Sequence, residues 1–360
     1  MTIGILTFHR AHNYGAVLQC FALQEFLTSQ KFDVRVIDYV PEWVTCLYKW
    51  NGKNQFSIRH PRGLLNNVWY IFPNRKRYIN FESFIQKHLR LAPFVSEKDF
   101  CNFDIIIIGS DQVWNKKITM GYDNYYWGNF EKKESQKVIA YAPSMEEFPT
   151  NEEEICSLKN LVDNFDAISV RELQLKDFLS SVTNRTVTHA IDPTFLLSPN
   201  AWIRLAEKVE PKHCDYLFFY QARPCASAVE YARKQAKNLG LQFIFLSSMA
   251  YYPHSKGIGS SGPLEFLSLI RHAKYVITTS FHGTAFSILM NIPFTSLILN
   301  DGKDSRIKSL LQTLKLKDRM RPLNEDICLS EINWGDVHKI LDFVVKDSKD
   351  FLYNALSPVK

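Results

Sequence analysis

The sequence predicts an α/β protein of two Rossmann-like domains with parallel sheets, facing each other across a cleft. Three observations carry that expectation. Short β-branched runs recur, each followed by a helical pattern, as parallel βα units require. Nine such runs occur, at residues 3–8, 34–39, 105–109, 138–142 and 167–170, then 216–220, 243–247, 275–279 and 294–299. A length of 360 residues, at about 150 per domain, suffices for two cores.

The first run leads into Thr7-Phe8-His9-Arg10-Ala11-His12-Asn13-Tyr14-Gly15-Ala16, then a helix with Val17, Leu18, Phe21 and Ala22 on one face. A turn of His and Asn side chains at a helix N-terminus can hold an anion or a sugar hydroxyl, which makes His9, Asn13 and Tyr14 candidates. Each histidine there could equally be a hydrogen-bonded structural residue. No G-x-G-x-x-G pattern is present, so a dinucleotide is not implied.

Four consecutive isoleucines in the third run require burial on both faces, hence a central strand. Beyond it stand Gly109-Ser110-Asp111-Gln112-Val113-Trp114-Asn115. Asp111 can accept a proton, Gln112 can hold a hydroxyl, and Trp114 can provide a platform for a sugar ring. A helix N-cap by Ser110 or Asp111 is the competing reading.

Prolines 193, 199 and 211 mark a boundary, giving domains 1–200 and 201–330. In the second domain the run 275–279 opens onto Ser280-Phe281-His282-Gly283-Thr284. Ser280 is an expected N-cap, and the helix dipole with His282 favours a phosphate or carboxylate. Gly283 is expected to permit close approach of that ligand. Arg171, Arg223, Lys256 and Arg306 fall at loop positions, and together they suit a small multiply charged anion. Residues 331–360 include a helical pattern (Val337, Ile340, Leu341, Phe343, Val344) expected to pack back on the first domain.

Composition excludes several classes. With 46% hydrophobic residues the chain is not disordered. The longest apolar stretch, 284–299, is interrupted by Asn291 and Pro293 and is too short to span a bilayer. The N-terminus lacks a secretory pattern, so a cytoplasmic location is expected. Seven scattered cysteines with no C-x-x-C pair read as free thiols, mostly buried, and no metal-ligand spacing appears. No metal or cofactor is therefore expected, and no G-x-S-x-G elbow or Walker loop is present.

The net charge of +6 is uneven. Residues 43–81 contain no Asp or Glu but hold Lys49, Lys53, Arg59, Arg62, Arg75, Lys76 and Arg77 among eight Trp, Tyr and Phe residues before Phe81. Cations mixed with aromatics suit an anionic membrane surface. A helical insertion whose tryptophans pack on the domain is the alternative. Nucleic acid is not expected, because no recognition module accompanies the patch.

Five segments together are specific: ILTFHRAHNYGAVLQCFALQEFL, FDIIIIGSDQVWN, AISVREL with IDPTFLL, GPLEFLSLIRHAKYVITTSFHGTAFSILMNIPF, and DSRIKSLLQTLKLKDR. Through them the chain resembles the polysaccharide pyruvyl transferase family from residue 3 to about 319. That resemblance implies a GT-B-like architecture. It also implies transfer of the pyruvyl carbons of phosphoenolpyruvate to two hydroxyls of a sugar, giving a cyclic ketal and phosphate. The acceptor sugar stays open; a lipid-linked precursor of a bacterial capsule or exopolysaccharide, met at the inner face of the membrane, would account for the basic aromatic segment 43–81 and is the expectation.

By the same resemblance His282 matches the family's active-site histidine, and Arg171 matches a donor-holding arginine. Asp111 or His9 across the cleft would then act as base, and phosphoenolpyruvate is a substrate rather than a cofactor. Two departures stand out. Some members have Arg-Leu-His where this chain has Ser280-Phe281-His282, so Arg223, Lys256 or Arg306 would have to supply that charge. Ala16 stands where others place an acid. A glycosyltransferase using a nucleotide-sugar donor, or a non-catalytic glycan-binding protein, are the competing readings.

Overall fold

The computed structural model describes residues 1–44, 61–248 and 258–357, with 61–73 described by their backbone alone. The first lobe is a parallel sheet of β1 (Thr2–Leu6), β2 (Asp33–Ile37), β3 (Leu91–Ala92), β4 (Ile105–Ile108), β5 (Lys137–Ala140), β6 (Ala167–Val170) and β7 (Val187–His189). Their order is β3-β2-β1-β4-β5-β6-β7. The second lobe holds β8 (Tyr216–Gln221), β9 (Gln242–Ser247), β10 (Tyr275–Thr278), β11 (Phe294–Leu297) and β12 (Met320–Arg321), in the order β12-β11-β10-β8-β9. Strand order reverses between β1 and β4 in one sheet and between β8 and β10 in the other. At such switch points a crevice opens outside the carboxyl ends of the strands.

β4 shows why its sequence forms a central strand. Ile106 and Ile108 enter one core and Ile105 and Ile107 another, as the two-residue period dictates, and all four are buried. Three short strands, β3, β7 and β12, were not foreseen from the sequence.

Helix α1 (Tyr14–Ser29) is buried on nearly every side, because it lies between the first sheet and the second lobe. Its Tyr14 ring stacks on Phe266 at 4.6 Å, and the Tyr14 hydroxyl donates to the Ser261 carbonyl at 2.8 Å. Helix α2 (Pro61–His88) occupies much of the basic aromatic segment. There Arg77 is buried, lies over the Tyr14 and Phe81 rings, and donates to the Ser247 and Ser248 carbonyls. It ties the lobes together and is unavailable to a membrane, whereas Arg75 and Lys76 are exposed. Lys49, Lys53 and Arg59 fall outside the described residues.

Next come α3 (Glu152–Val162), α4 (Leu173–Val182), α5 (Pro199–Ala206), α6 (Ala226–Asn238), α7 (Pro263–Arg271), α8 (Phe281–Leu289) and α9 (Ser305–Thr313). The chain ends in α10 (Trp334–Leu356), which packs back on the first lobe as expected. Ser348 Oγ accepts the Ile191 amide at 2.9 Å, and Lys137 Nζ donates to the Ala355 carbonyl at 3.2 Å. Its first turns touch the other lobe, where His338 Nε2 meets Asn291 Oδ1 at 2.8 Å. No described helix is long and apolar enough to cross a membrane. The described cysteines are unpaired, but among them Cys20 alone is buried, contrary to expectation.

Candidate active site

The two switch-point crevices open into one cavity of about 420 Å³. Its walls include Asn13, Asp111, Gln112, Arg223, Ser280, Phe281, His282 and Arg306, so eight of the residues singled out by sequence meet there. A wider groove of about 560 Å³ runs between α10 and the N-terminal ends of β5 and β6, and contains none of them.

The first-lobe wall begins where Asn13 caps α1, its Oδ1 accepting the Gly15 amide at 2.9 Å. Upstream, His9 is fully buried, with Nδ1 at the Thr7 carbonyl and Nε2 at Asp38 Oδ1, 2.7 Å away. Arg10 forks onto the same Asp38 and reaches Glu82, which also meets His12. This network fixes the turn and keeps His9 out of the cavity wall, so His9 is not placed to serve as base. Tyr14 is likewise core, consumed by Phe266 and Ser261.

After β4 the chain forms no helix, and neither Ser110 nor Asp111 is a cap. Gly109 has φ +113°, and a side chain there would run into the Tyr141 carbonyl. Asp111, at φ 67°, turns into the cavity. Trp114 instead points inward, stacks on Trp127 at 4.3 Å and is fully buried, so it offers no sugar platform. Trp43, in contrast, lines the cavity, edge-on to Phe8 and with its Nε1 lacking a hydrogen-bond partner.

From the second lobe, Ser280 caps α8 by accepting the Gly283 amide at 3.3 Å. Gly283 faces the Thr278 side chain rather than a ligand; its missing Cβ makes room for Thr278. A second glycine serves the site directly. Gly15 lies against His282, and any side chain there would overlap the imidazole.

His282 Nε2 lies 3.5 Å from Asp192 Oδ2, and the same oxygen accepts Arg171 Nη1 at 2.7 Å. Arg171 also stands over the Phe281 ring at 5.0 Å, 3.6 Å from Glu172 and 4.0 Å from Asp111. It sits just behind the main cavity, in a small void shared with Arg306. Burial pushes the Asp192 carboxyl up, but His282, Arg171 and the Thr194 amide outweigh it and hold it well below the usual range. Burial opposes the charge of Arg171, yet Asp192, Glu172 and Asp111 raise it above its ordinary value. Glu172 is raised by burial against the pull of Arg171 and Ser144. Burial and Arg171 together depress Arg306.

The cleft is not a simple electropositive trap. Arg223 is paired with Asp301 and Asp304, and Lys117 with Glu147. Among the buried donors without hydrogen-bond partners are Arg171 Nε and Nη2, Arg306 Nε and His282 Nε2, and an exposed Lys303 also lines the cavity. Lys256 lies outside the described residues.

A family model described as polysaccharide pyruvyl transferase matches residues 13–301. The chain belongs to the polysaccharide pyruvyl transferase family. No curated protein sequence matches it. Among solved structures it is similar to UDP-GlcNAc 2-epimerase from Neisseria meningitidis bound to UDP-GlcNAc, at 9% identity and TM-score 0.44, over 99% of this chain and 94% of that one. The UDP-GlcNAc 2-epimerase from Methanocaldococcus jannaschii is similar at 11% identity and TM-score 0.44, over 96% and 93%. E. coli ADP-heptose heptosyltransferase II is similar at 11% identity and TM-score 0.37, over 97% and 100%.

Within this pyruvyl transferase family member, sequence reading missed Asp192, Glu172, Glu146 and Gly15. Asp192 stood in the segment read as a domain boundary, and its place between two candidate residues was the signal available. Glu146 lines the cavity 3.9 Å from Arg306, with one oxygen buried and unpartnered.

Proposed function

We propose that the protein transfers the pyruvyl group of phosphoenolpyruvate to two hydroxyls of a sugar, forming a cyclic ketal and releasing phosphate. One observation carries this reading: buried guanidinium N–H groups of Arg171 and Arg306 lack hydrogen-bond partners, Arg306 in the cavity wall with His282 and Arg171 just behind it. Such donors match a phosphate or carboxylate.

In the proposed reaction one sugar hydroxyl adds to C2 of phosphoenolpyruvate while the methylene takes a proton. The C2–O bond to phosphate then breaks, and the second hydroxyl closes the ring. Of the two hydroxyl protons, one ends on the new methyl group and the other leaves with phosphate. His282 carries a proton in this scheme, and its imidazole suits that task near neutral pH. Arg171 holds a donor anion, and Arg306 supplies charge in place of the family arginine absent at Ser280. Asp111 serves as base. Asn13, Gln112 and Trp43 hold the acceptor on the side of the first lobe, residues 1–200, with the donor on the side of 201–330.

The acceptor is a lipid-linked oligosaccharide in this reading, reached at the cytoplasmic face of the membrane through the basic segment 43–81. Sedimentation with anionic liposomes tests that part, and no loss of binding when its exposed cations are neutralised removes it. The activity is tested by mixing the protein with phosphoenolpyruvate and sugar acceptors. Expected are phosphate release and a glycan mass gain of one pyruvate less one water. Release of a nucleoside diphosphate from a nucleotide sugar instead, or full ketal formation by both His282→Ala and Arg171→Ala, overturns it.

A further inference from the structure

We infer that Asp192 is a positioning residue for both halves of the donor site: one oxygen aims the Arg171 guanidinium and holds the His282 imidazole with its proton on Nε2. The inference rests on the donor reading above for its function, though not for its geometry.

The carboxylate cannot turn. Oδ1 accepts the Thr194 amide at 3.0 Å and the Thr194 hydroxyl at 2.8 Å. Oδ2 is therefore fixed in direction, and it is this oxygen that takes Arg171 Nη1 at 2.7 Å and faces His282 Nε2 at 3.5 Å. Asp192 is 0% exposed, so water does not compete for either partner.

Two consequences follow from the shared oxygen. Tethered by Nη1, Arg171 presents Nε and Nη2, the planar fork that matches a carboxylate or phosphate; neither has a hydrogen-bond partner, though Glu172 lies 3.6 Å from Nε and Asp111 4.0 Å from Nη2. On His282, Nε2 has no hydrogen-bond partner, but the anionic oxygen 3.5 Å away favours the tautomer with its proton there. Nδ1 is then the nitrogen turned toward Gly15 and the start of α1, free to exchange a proton. Around the imidazole, α8 contributes the Phe281 ring at 5.1 Å and α1 contributes Gly15. Asp192 is the one carboxylate within 4.0 Å among the described residues, and Arg171 is the cation behind it. Tyr141, beyond β5, donates to the Ile191 carbonyl, and burial holds its hydroxyl neutral.

The test is ¹⁵N NMR of the imidazoles in the full chain, with His282→Gln to assign the signal. In the wild type, neutral His282 is expected to carry its proton on Nε2. In Asp192→Asn the preference for a proton on Nε2 is expected to be lost, because the anionic oxygen that favours it is gone. Calorimetry with phosphoenolpyruvate is expected to show binding weakened about tenfold or more as the fork loses its aim. A proton on Nδ1 in the wild type, or a tautomer unchanged in Asp192→Asn, overturns the inference. Should Asp192→Asn fail to fold, the wild-type tautomer decides alone. Wild type that meets the NMR expectations yet gives no heat with phosphoenolpyruvate supports the Asp192 linkage and removes the donor reading.

Discussion

Replacing Gly15 with alanine sets two effects of opposite sign against each other. In a solvated helix the change is favourable by about 1 kcal/mol, because glycine is the poorer helix former. Here the new methyl carbon would lie 1.9 Å from His282 Nδ1. Contact between such atoms needs about 3.5 Å, so α1 and the imidazole must separate by about 1.5 Å. Overpacking of that kind costs about 1–3 kcal/mol, leaving a net loss of about 0–2 kcal/mol.

Spread over 360 residues at about 2.1 cal/mol/K each, that lowers Tm by no more than about 3 °C. Under the proposed function His282 lies at the reacting centre, where displacement is far more expensive, about 100-fold in rate per ångström. Gly15→Ala is therefore expected to be nearly as stable as the wild type and at least about 100-fold slower in acceptor-dependent phosphate release. Calorimetric Tm and that assay, run on one preparation, decide the matter. A variant that melts about 1 °C higher and keeps its activity would refute the reasoning, for α1 could not then abut His282.

Breaking the buried Arg171–Asp192 pair with Arg171→Gln strands a carboxylate and is expected to cost about 3–5 kcal/mol in urea unfolding, much of it recovered in Arg171→Met, Asp192→Leu. A cost below about 1 kcal/mol contradicts the pairing. Gly283→Ala drives a methyl into Thr278 and loosens its bond to the Tyr220 carbonyl, so a loss of about 1–3 kcal/mol is expected. An unchanged unfolding midpoint would show that Thr278 is free to move. Burial raises Asp38, but Arg10 and His9 outweigh it, placing its folded pKa below the unfolded value of about 3.9. Its contribution is thus full above that value and is lost as pH falls toward the folded one. The stability gap between wild type and Asp38→Asn is expected to be constant from about pH 6 to 8 and to narrow steadily below about pH 4; a gap that widens on acidification contradicts the network.

Much of the site was legible because parallel strands carry all their carboxyl ends to one edge. Once residues 3–8, 105–109, 216–220 and 275–279 were read as strands, Asn13, Asp111, Gln112, Arg223, Ser280 and His282 had to fall near one another. What the pattern does not encode is the direction of a side chain just past a strand. His9 and Trp114 have the right chemistry at the right edge, yet each turns inward to meet Asp38 or Trp127. β3, β7 and β12 span two or three residues and offer too little alternation to be seen. Asp192 was obscured by Pro193, which reads as a breaker between lobes although it opens a single 3₁₀ turn.

The closing helix has a mechanical consequence. Because α10 is pinned to Asn291 at one end and to Lys137 at the other, and Tyr14 stacks across the seam, swinging the halves apart must rupture core packing as well as polar contacts. Traffic of reactants is then governed by the rim of the cavity rather than by a jaw-like motion, and turnover should respond to changes in rim loops while remaining indifferent to viscosity-sensitive hinge opening.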